Sequence, residues 1–126
     1  MEDDQFTLDE ANFLIPWLAE RFQKINTLRQ EYAILQKRIA DSQKTAVNAS
    51  DAPQNETTTE QLTRQIEEGV DEILDQGIIV RDVARGLVDF PSLRDDRDIY
   101  LCWIDGEEQV KYWHEIDQGF SQRQPI

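Results

Sequence analysis

The residues best suited to chemistry form one short segment near the end of the chain, Trp113-His114-Glu115-Ile116-Asp117. Imidazole and carboxylate groups bind metals and transfer protons. The segment has no second histidine four residues on, so it does not match the zinc-protease pattern. On a strand, His114 and Glu115 point to opposite faces. Two interpretations of His114 stay open: a histidine at the edge of the core bonded to a carboxylate or carbonyl, or a metal or catalytic group acting with Asp117.

A second candidate site surrounds Asp89, which stands between apolar residues just before Pro91. A buried carboxylate needs donors, and Arg94 and Arg97 could supply them. We therefore expect a structural ion pair. The alternative is an anion-binding pocket, partly neutralised by neighbouring aspartates, that is formed by Arg81, Arg85, Arg94 and Arg97.

The two candidate sites could also be one. In that case His114, Asp117, Asp89 and an arginine of the same group would meet in a water-accessible pocket for a small molecule, an anion or a metal. A buried His114 with both ring nitrogens bonded to the protein would count against such a pocket.

Cys102 is expected to be a packing residue, because no basic group is visibly placed to lower its pKa. Strand alternation is expected to place it on the sheet face opposite His114. The sequence has no glycine-rich phosphate loop, no nucleophile elbow and no paired-cysteine metal motif. It therefore favours a non-catalytic protein without a cofactor.

The composition excludes several classes of protein. The chain has 126 residues with 26 acidic and 13 basic side chains, which gives a net charge of −13. A chain with this negative charge repels the phosphate backbone of nucleic acids. We therefore expect no binding to nucleic acid. The sequence contains no apolar run of about eighteen residues and therefore predicts no membrane span. Its acidic N-terminus does not resemble a secretory signal. We expect a single domain over residues 1–126 of a soluble cytoplasmic protein.

A long first helix is predicted over about residues 8–43. Thr7 and Glu10 form a capping box at its start. Apolar residues then recur at spacings of three and four, a coiled-coil pattern, from Ile25 to Ile39. Pro16 is expected to kink the helix rather than end it. The helix would be about 54 Å long, too long to be covered by a domain whose radius of gyration is about 14 Å.

A polar linker is predicted over residues 45–59, followed by a second helix over about residues 59–76 that Gly77 ends. From Arg21 to Lys44 the first helix has six basic and two acidic residues, whereas the stretch from Glu60 to Asp75 has six acidic residues and one basic. This complementarity favours an antiparallel helical hairpin.

A β-region is predicted over residues 78–117, with an irregular tail over 118–126. Pro91 is expected to end the second strand. The last hairpin is expected to turn at Asp105-Gly106 through an even number of residues. Its helix-facing residues would then be Ile99, Leu101, Trp103, Val110, Tyr112, His114 and Ile116, and its outer residues Tyr100, Cys102, Lys111, Trp113 and Glu115. The predicted fold class is α+β: a long antiparallel helical hairpin, kinked in its first helix, packed on a small antiparallel meander of three or four strands.

Three blocks of sequence resemble one bacterial family of uncharacterised proteins, domain of unknown function 2203. They are FTLDEANFLIPWL at residues 6–18, GLVDFPSLRDDRDIYLCW at residues 86–103, and YWHEIDQGFSQRQPI at residues 112–126. The resemblance implies one complete domain and implies no activity, cofactor or catalytic residue.

The overlong helix leads to the first hypothesis, a non-catalytic module that self-associates, most simply as a dimer, or binds an unknown protein. The candidate interaction residues are Trp17, Phe22, Tyr100 and Trp113. The alternatives are the site around His114 and Asp89, and a mimic of nucleic acid that occupies a basic partner.

Overall fold

Two helices precede a five-stranded sheet. The computed structural model describes residues 5–44 and 52–126, and the side chains of residues 5–42 and 58–126. The elements are α1 (Leu8–Lys44), α2 (Ala52–Leu74), β1 (Ile79–Asp82), β2 (Leu87–Arg94), β3 (Arg97–Ile104), β4 (Tyr112–Glu115), a 3₁₀ turn (Phe120–Gln122) and β5 (Gln124–Pro125). The strands are antiparallel neighbours in chain order. The predicted α+β fold is confirmed, with five strands rather than three or four.

Helix α1 begins where its cap predicts. The backbone N–H of Thr7 donates to Oε1 of Glu10 at 2.9 Å, and the N–H of Glu10 donates to Oγ1 of Thr7 at 3.1 Å. These two bonds satisfy backbone donors that have no partner within the helix. The helix continues through Pro16 to Lys44 without ending.

Helix α2 begins at Ala52, so the linker predicted over residues 45–59 is wrong from residue 52 onward. Pro53 lies in the first turn, where its missing N–H removes no helical bond. Residues 45–51 of that linker lie outside the described residues. Gly77 follows the helix with φ +88°, a conformation that favours glycine.

The core forms between the first half of α1 and one face of the sheet. Phe22 packs on Trp103 with ring centroids 6.4 Å apart, and both side chains are fully buried. The cluster also contains Ala11, Ile15, Leu18, Ile25, Ile73, Ile78, Val88, Phe90, Ile99, Leu101, Val110 and Trp113. The first half of α1 therefore lies against the sheet.

Pro91 does not end the second strand, because β2 continues to Arg94. Pro91 stands opposite Tyr100 of β3, and its carbonyl accepts the N–H of Phe6 at 2.7 Å. In an antiparallel strand the N and C=O of one residue point to the same side. The missing N–H of Pro91 therefore faces away from β3, and no bond between β2 and β3 is lost.

The β3–β4 connection reverses the predicted faces of the last hairpin. Cys102 pairs with Tyr112 and Leu101 with Trp113, so an odd number of residues joins the paired positions. The predicted even turn is wrong. Because alternation has a period of two, this one-residue difference moves every side chain of β4 to the other face. Trp113 thus faces the helices and His114 faces outward.

Glu107 holds this connection in place. Its backbone carbonyl accepts the indole N–H of Trp103 at 2.9 Å, and its carboxylate accepts the N–H of Ile104 at 3.0 Å. Two further bonds, of 3.2 and 2.9 Å, come from the guanidinium of Arg123. The tail predicted as irregular is therefore ordered: it forms the 3₁₀ turn and β5, which pairs with β4.

Candidate functional site

Three neighbouring strands bring Asp89, Cys102 and His114 together on the sheet face away from the helices. Asp89 of β2 stands directly opposite Cys102 of β3, and His114 of β4 lies diagonally across from Cys102. All three residues are buried, with 2%, 0% and 1% exposure. A carboxylate oxygen, the sulfur and a ring nitrogen of this triad lie within 4.8 Å of one another. The expectation that Cys102 lies opposite His114 is wrong, because it rested on the wrong hairpin register.

Both ring nitrogens of His114 face hydrogen-bond acceptors. Nδ1 lies 2.8 Å from the carbonyl oxygen of Glu115, and Nε2 lies 2.9 Å from Oδ1 of Asp89. A neutral imidazole carries only one N–H. Both contacts are hydrogen bonds only when a second proton is present, on the ring or on the carboxyl group. Burial with a protein partner at each nitrogen favours the interpretation of His114 as a bonded residue of the fold.

Asp89 has a different arginine from those predicted. Nε of Arg81 donates to Oδ2 of Asp89 at 2.9 Å, whereas Arg94 and Arg97 lie elsewhere. This hydrogen bond raises the pKa of Arg81 above its usual value. The Arg81 guanidinium also lies 5.3 Å from the ring centroid of Tyr100, which in turn lies 5.5 Å from that of His114. Asp89 therefore forms an ion pair, between β1 and β2, but with Arg81 and not with the predicted Arg94 or Arg97.

Cys102 is a buried thiol rather than an activated one. Burial raises its pKa to about 12, and the charge of Asp89 acts in the same direction. The nearby Arg123 opposes the shift. The thiol is therefore protonated at neutral pH, which gives it little nucleophilic character.

The other arginines of the predicted anion pocket have separate partners. Arg97 makes two bonds to the carboxylate of Glu115, at 3.1 and 2.7 Å. Arg85 lies 5.0 Å from the ring centroid of Phe120, and Arg94 lies 4.5 Å from that of Trp113. The sequence hypothesis of one four-arginine pocket is therefore not supported.

Asp117 does not join the buried triad. It is exposed in the turn after β4, whereas Asp89 and His114 are buried. We expected an open pocket shared by His114, Asp117, Asp89 and an arginine. This expectation is wrong, because His114 and Asp89 are buried whereas Asp117 is exposed to solvent.

The candidate interaction residues are mostly covered by the chain itself. Phe22 is fully buried and Trp113 is 7% exposed, both within the core. Trp17 and Tyr100 are half-buried, and each has an arginine over its ring: Arg21 at 5.4 Å for Trp17, Arg81 for Tyr100. Other large apolar side chains are exposed instead, namely Leu8, Phe13, Ile34, Leu74, Leu93, Ile116 and Ile126.

Sequence reasoning missed two contacts of the triad: the ion pair of Asp89 with the exposed Arg81, and the proximity of Cys102 to His114. The pairing of Arg81 with Asp89 can be predicted only when the β1–β2 register is known. That register shifts at a bulge between Val80 and Asp82, where Arg81 lies. The sequence carried no signal that places Cys102 beside His114. Val110 is buried but precedes β4, so it does not share the alternation of Tyr112 and His114.

The fold defines an α+β protein in which a helical hairpin covers one face of an antiparallel sheet and a buried Asp–Cys–His triad occupies the other. The chain belongs to the family described as uncharacterized conserved protein (DUF2203), whose model matches residues 5–126. No curated protein and no solved structure matches the chain. In the part of the chain that the structure describes, no helix has the length and apolarity needed to cross a membrane.

Proposed function

We propose that this chain is a self-associating interaction module whose helical hairpin packs against the same hairpin of a second copy. One observation carries the proposal. Past Ile25, none of the described side chains of α1, residues 26–42, is buried, although the apolar spacing continues. The half-buried members of this seam are Leu28, Tyr32, Leu35 and Ile39.

The distal part of the hairpin is an incompletely covered pair of helices. Across from the α1 seam, Leu62 of α2 is 8% exposed and Ile66 is half-buried. A two-helix hairpin buries only one seam, so its flanks stay accessible to further helices. Packing of two hairpins into a four-helix arrangement would remove this apolar surface from water.

An open groove of about 880 Å³ runs along one flank of the hairpin. Its apolar lining includes Tyr32 of α1 and Ile66 of α2, and its charged lining includes Arg29 and Glu67. Neither charged side chain makes an ion pair with another described residue. The lining of the groove therefore combines apolar side chains with two charges of opposite sign.

Charge complementarity points to a second copy as the occupant. In a two-fold arrangement, the basic α1 of one chain meets the acidic α2 of the other, so Arg29 of each copy faces Glu67 of its mate. Other hairpin charges make no ion pair among the described residues: Lys24, Lys37, Arg38, Glu60 and Glu68. Within the chain, only Arg21 and Glu72 are seen to join the two described helices by an ion pair, at 2.9 Å.

Sedimentation equilibrium at micromolar concentration tests the proposal. We expect a particle of about 30 kDa, twice the 14.8 kDa of one chain. Association should weaken as salt rises, because exposed charge pairs are screened. A 15 kDa monomer for the wild type would overturn the proposal.

Charge reversal locates the interface. R29E and E67R should each shift the equilibrium toward monomer, and the double variant should restore the dimer. Both side chains are exposed, so neither change should disturb the fold. The matched control is I34K: Ile34 is 55% exposed but does not line the groove. Loss of dimer in I34K with no effect of R29E would place the contact elsewhere and contradict this interface.

A further inference from the structure

We propose that Asp89, Cys102 and His114 bind one divalent transition-metal ion of the zinc class. This inference does not depend on self-association. It replaces the sequence hypothesis of a metal site at His114 and Asp117 with a different set of ligands. The three ligands come from three adjacent strands, which is a rigid way to present them.

The histidine is oriented as a metal ligand. Metal-binding histidines usually donate the second ring N–H to a carbonyl or carboxylate. Nδ1 of His114 makes such a contact with the carbonyl of Glu115, at 2.8 Å. With the N–H on Nδ1, the lone pair of Nε2 is directed toward Oδ1 of Asp89, and the sulfur of Cys102 lies within 4.8 Å.

The carboxylate is oriented in the same way. Arg81 occupies Oδ2 of Asp89 at 2.9 Å and leaves Oδ1 for the metal. Carboxylates that bind metals are usually held in place by a hydrogen bond of this kind. The triad thus has a protein partner behind two of its three members.

The strongest support for a bound cation comes from two acceptor atoms that face each other. Nε2 of His114 and Oδ1 of Asp89 are 2.9 Å apart, and a neutral imidazole bonded through Nδ1 has no proton to place between them. A cation between the two atoms removes that conflict. The alternative is a second proton, which makes the group an ion network of Arg81, Asp89 and imidazolium.

The geometry requires only small movements. Tetrahedral bonds of about 2.0–2.3 Å place ligand atoms about 3.3–3.8 Å apart. The Asp89–His114 contact would open by about 0.4 Å, and Cys102 already lies within 4.8 Å of both. Thiolate, imidazole and carboxylate together favour zinc over calcium or magnesium.

The protons balance without a further reactant. Binding releases the thiol proton of Cys102 to solvent, together with any second proton shared by His114 and Asp89. Thiolate and carboxylate then neutralise the two charges of the ion. Arg123, whose charge acts on Cys102, is already paired with Glu107.

The test is a titration of the full chain, stripped of metal with a chelator, with Zn²⁺ and with Co²⁺. The metal is added both to the folded protein and before refolding, because the triad is buried. We expect one ion per chain and, with Co²⁺, a thiolate-to-metal charge-transfer band. The band should disappear in C102S, and R81Q should lower the affinity about 10–100-fold.

The matched control is D117N, which changes an exposed carboxylate three residues from His114 and should leave affinity and band unchanged. Thermal unfolding of the wild type gives a readout that needs no variant, because a metal that binds only the folded state raises Tm. Three results together would overturn the proposal. Zn²⁺ would bind C102S as tightly as the wild type, the wild type would show no cobalt band, and NMR would show both ring nitrogens of His114 protonated.

Discussion

Nε2 of His114 lies 2.9 Å from Oδ1 of Asp89, although 25 residues separate them in the chain. The contact joins β4 to β2 across the intervening strand β3, and Arg81 extends it to β1. Three strands, β1, β2 and β4, are therefore linked by side chains as well as through the backbone ladder of the sheet. Since Asp89 is shared by both partners, its removal affects the whole group.

Asp89→Ala should destabilise the protein by about 3–5 kcal/mol, because it leaves His114 without its carboxylate in a buried site. Most of this effect should come from His114, since the side chain of Arg81 is 44% exposed and can return to water. Urea unfolding followed by tryptophan fluorescence measures the change. Asp117→Ala is the control and should stay within about 0.5 kcal/mol. Equal effects of the two substitutions would show that the buried network does not stabilise the sheet.

Cys102 should resist alkylation in the folded, metal-free protein. The thiol is fully buried and its pKa is raised to about 12, so at pH 8 only about one thiol in ten thousand is ionised. We expect iodoacetamide to label it at least about a thousandfold more slowly than in denaturant. The single cysteine makes the unfolded chain its own control. Rapid labelling without denaturant would show that the outer face of the sheet opens.

The start of α1 was predictable because its signals are local. Thr7 and Glu10 lie three residues apart and bond only to each other's backbone, so their spacing alone defines the cap. The same holds for Gly77 at the end of α2. The seam from Ile25 onward was visible in the same way, since helical periodicity is a property of neighbouring residues.

The site was not predictable because it depends on register. The faces of β4 follow from the bonds of Glu107 to Trp103, Ile104 and Arg123, and no local pattern specifies these. One residue more or less in that connection decides whether His114 meets Cys102 or the helices. Chemistry-bearing residues were thus identified by type, but their neighbours required the tertiary structure.

Phe22→Ala should destabilise the protein by about 3–5 kcal/mol. The side chain is fully buried against Trp103, so truncation loses apolar burial and leaves a cavity between α1 and the sheet. Phe13→Ala is a matched control on the same helix, because Phe13 is 84% exposed. It should change the free energy of unfolding by no more than about 0.5 kcal/mol. A small effect at Phe22 would contradict the packing of α1 on the sheet.

Gly86→Ala tests the contact between the β1–β2 turn and the β3–β4 connection. Gly86 has φ +66°, and its carbonyl accepts the N–H of Asp105 at 3.0 Å. A Cβ at this position would lie 2.5 Å from Cβ of Asp105, closer than two carbon atoms can pack. The substitution should therefore cost more than the about 1–2 kcal/mol of the left-handed conformation alone.

A double-mutant cycle separates the two contributions. In an Asp105→Gly background the opposing Cβ is absent, so Gly86→Ala should retain only the backbone contribution of about 1–2 kcal/mol. Urea unfolding of the wild type, both single variants and the double variant gives the coupling energy. Additive effects would mean that the two turns do not touch. A favourable coupling would confirm that close packing of the turns, and not backbone conformation alone, requires glycine at residue 86.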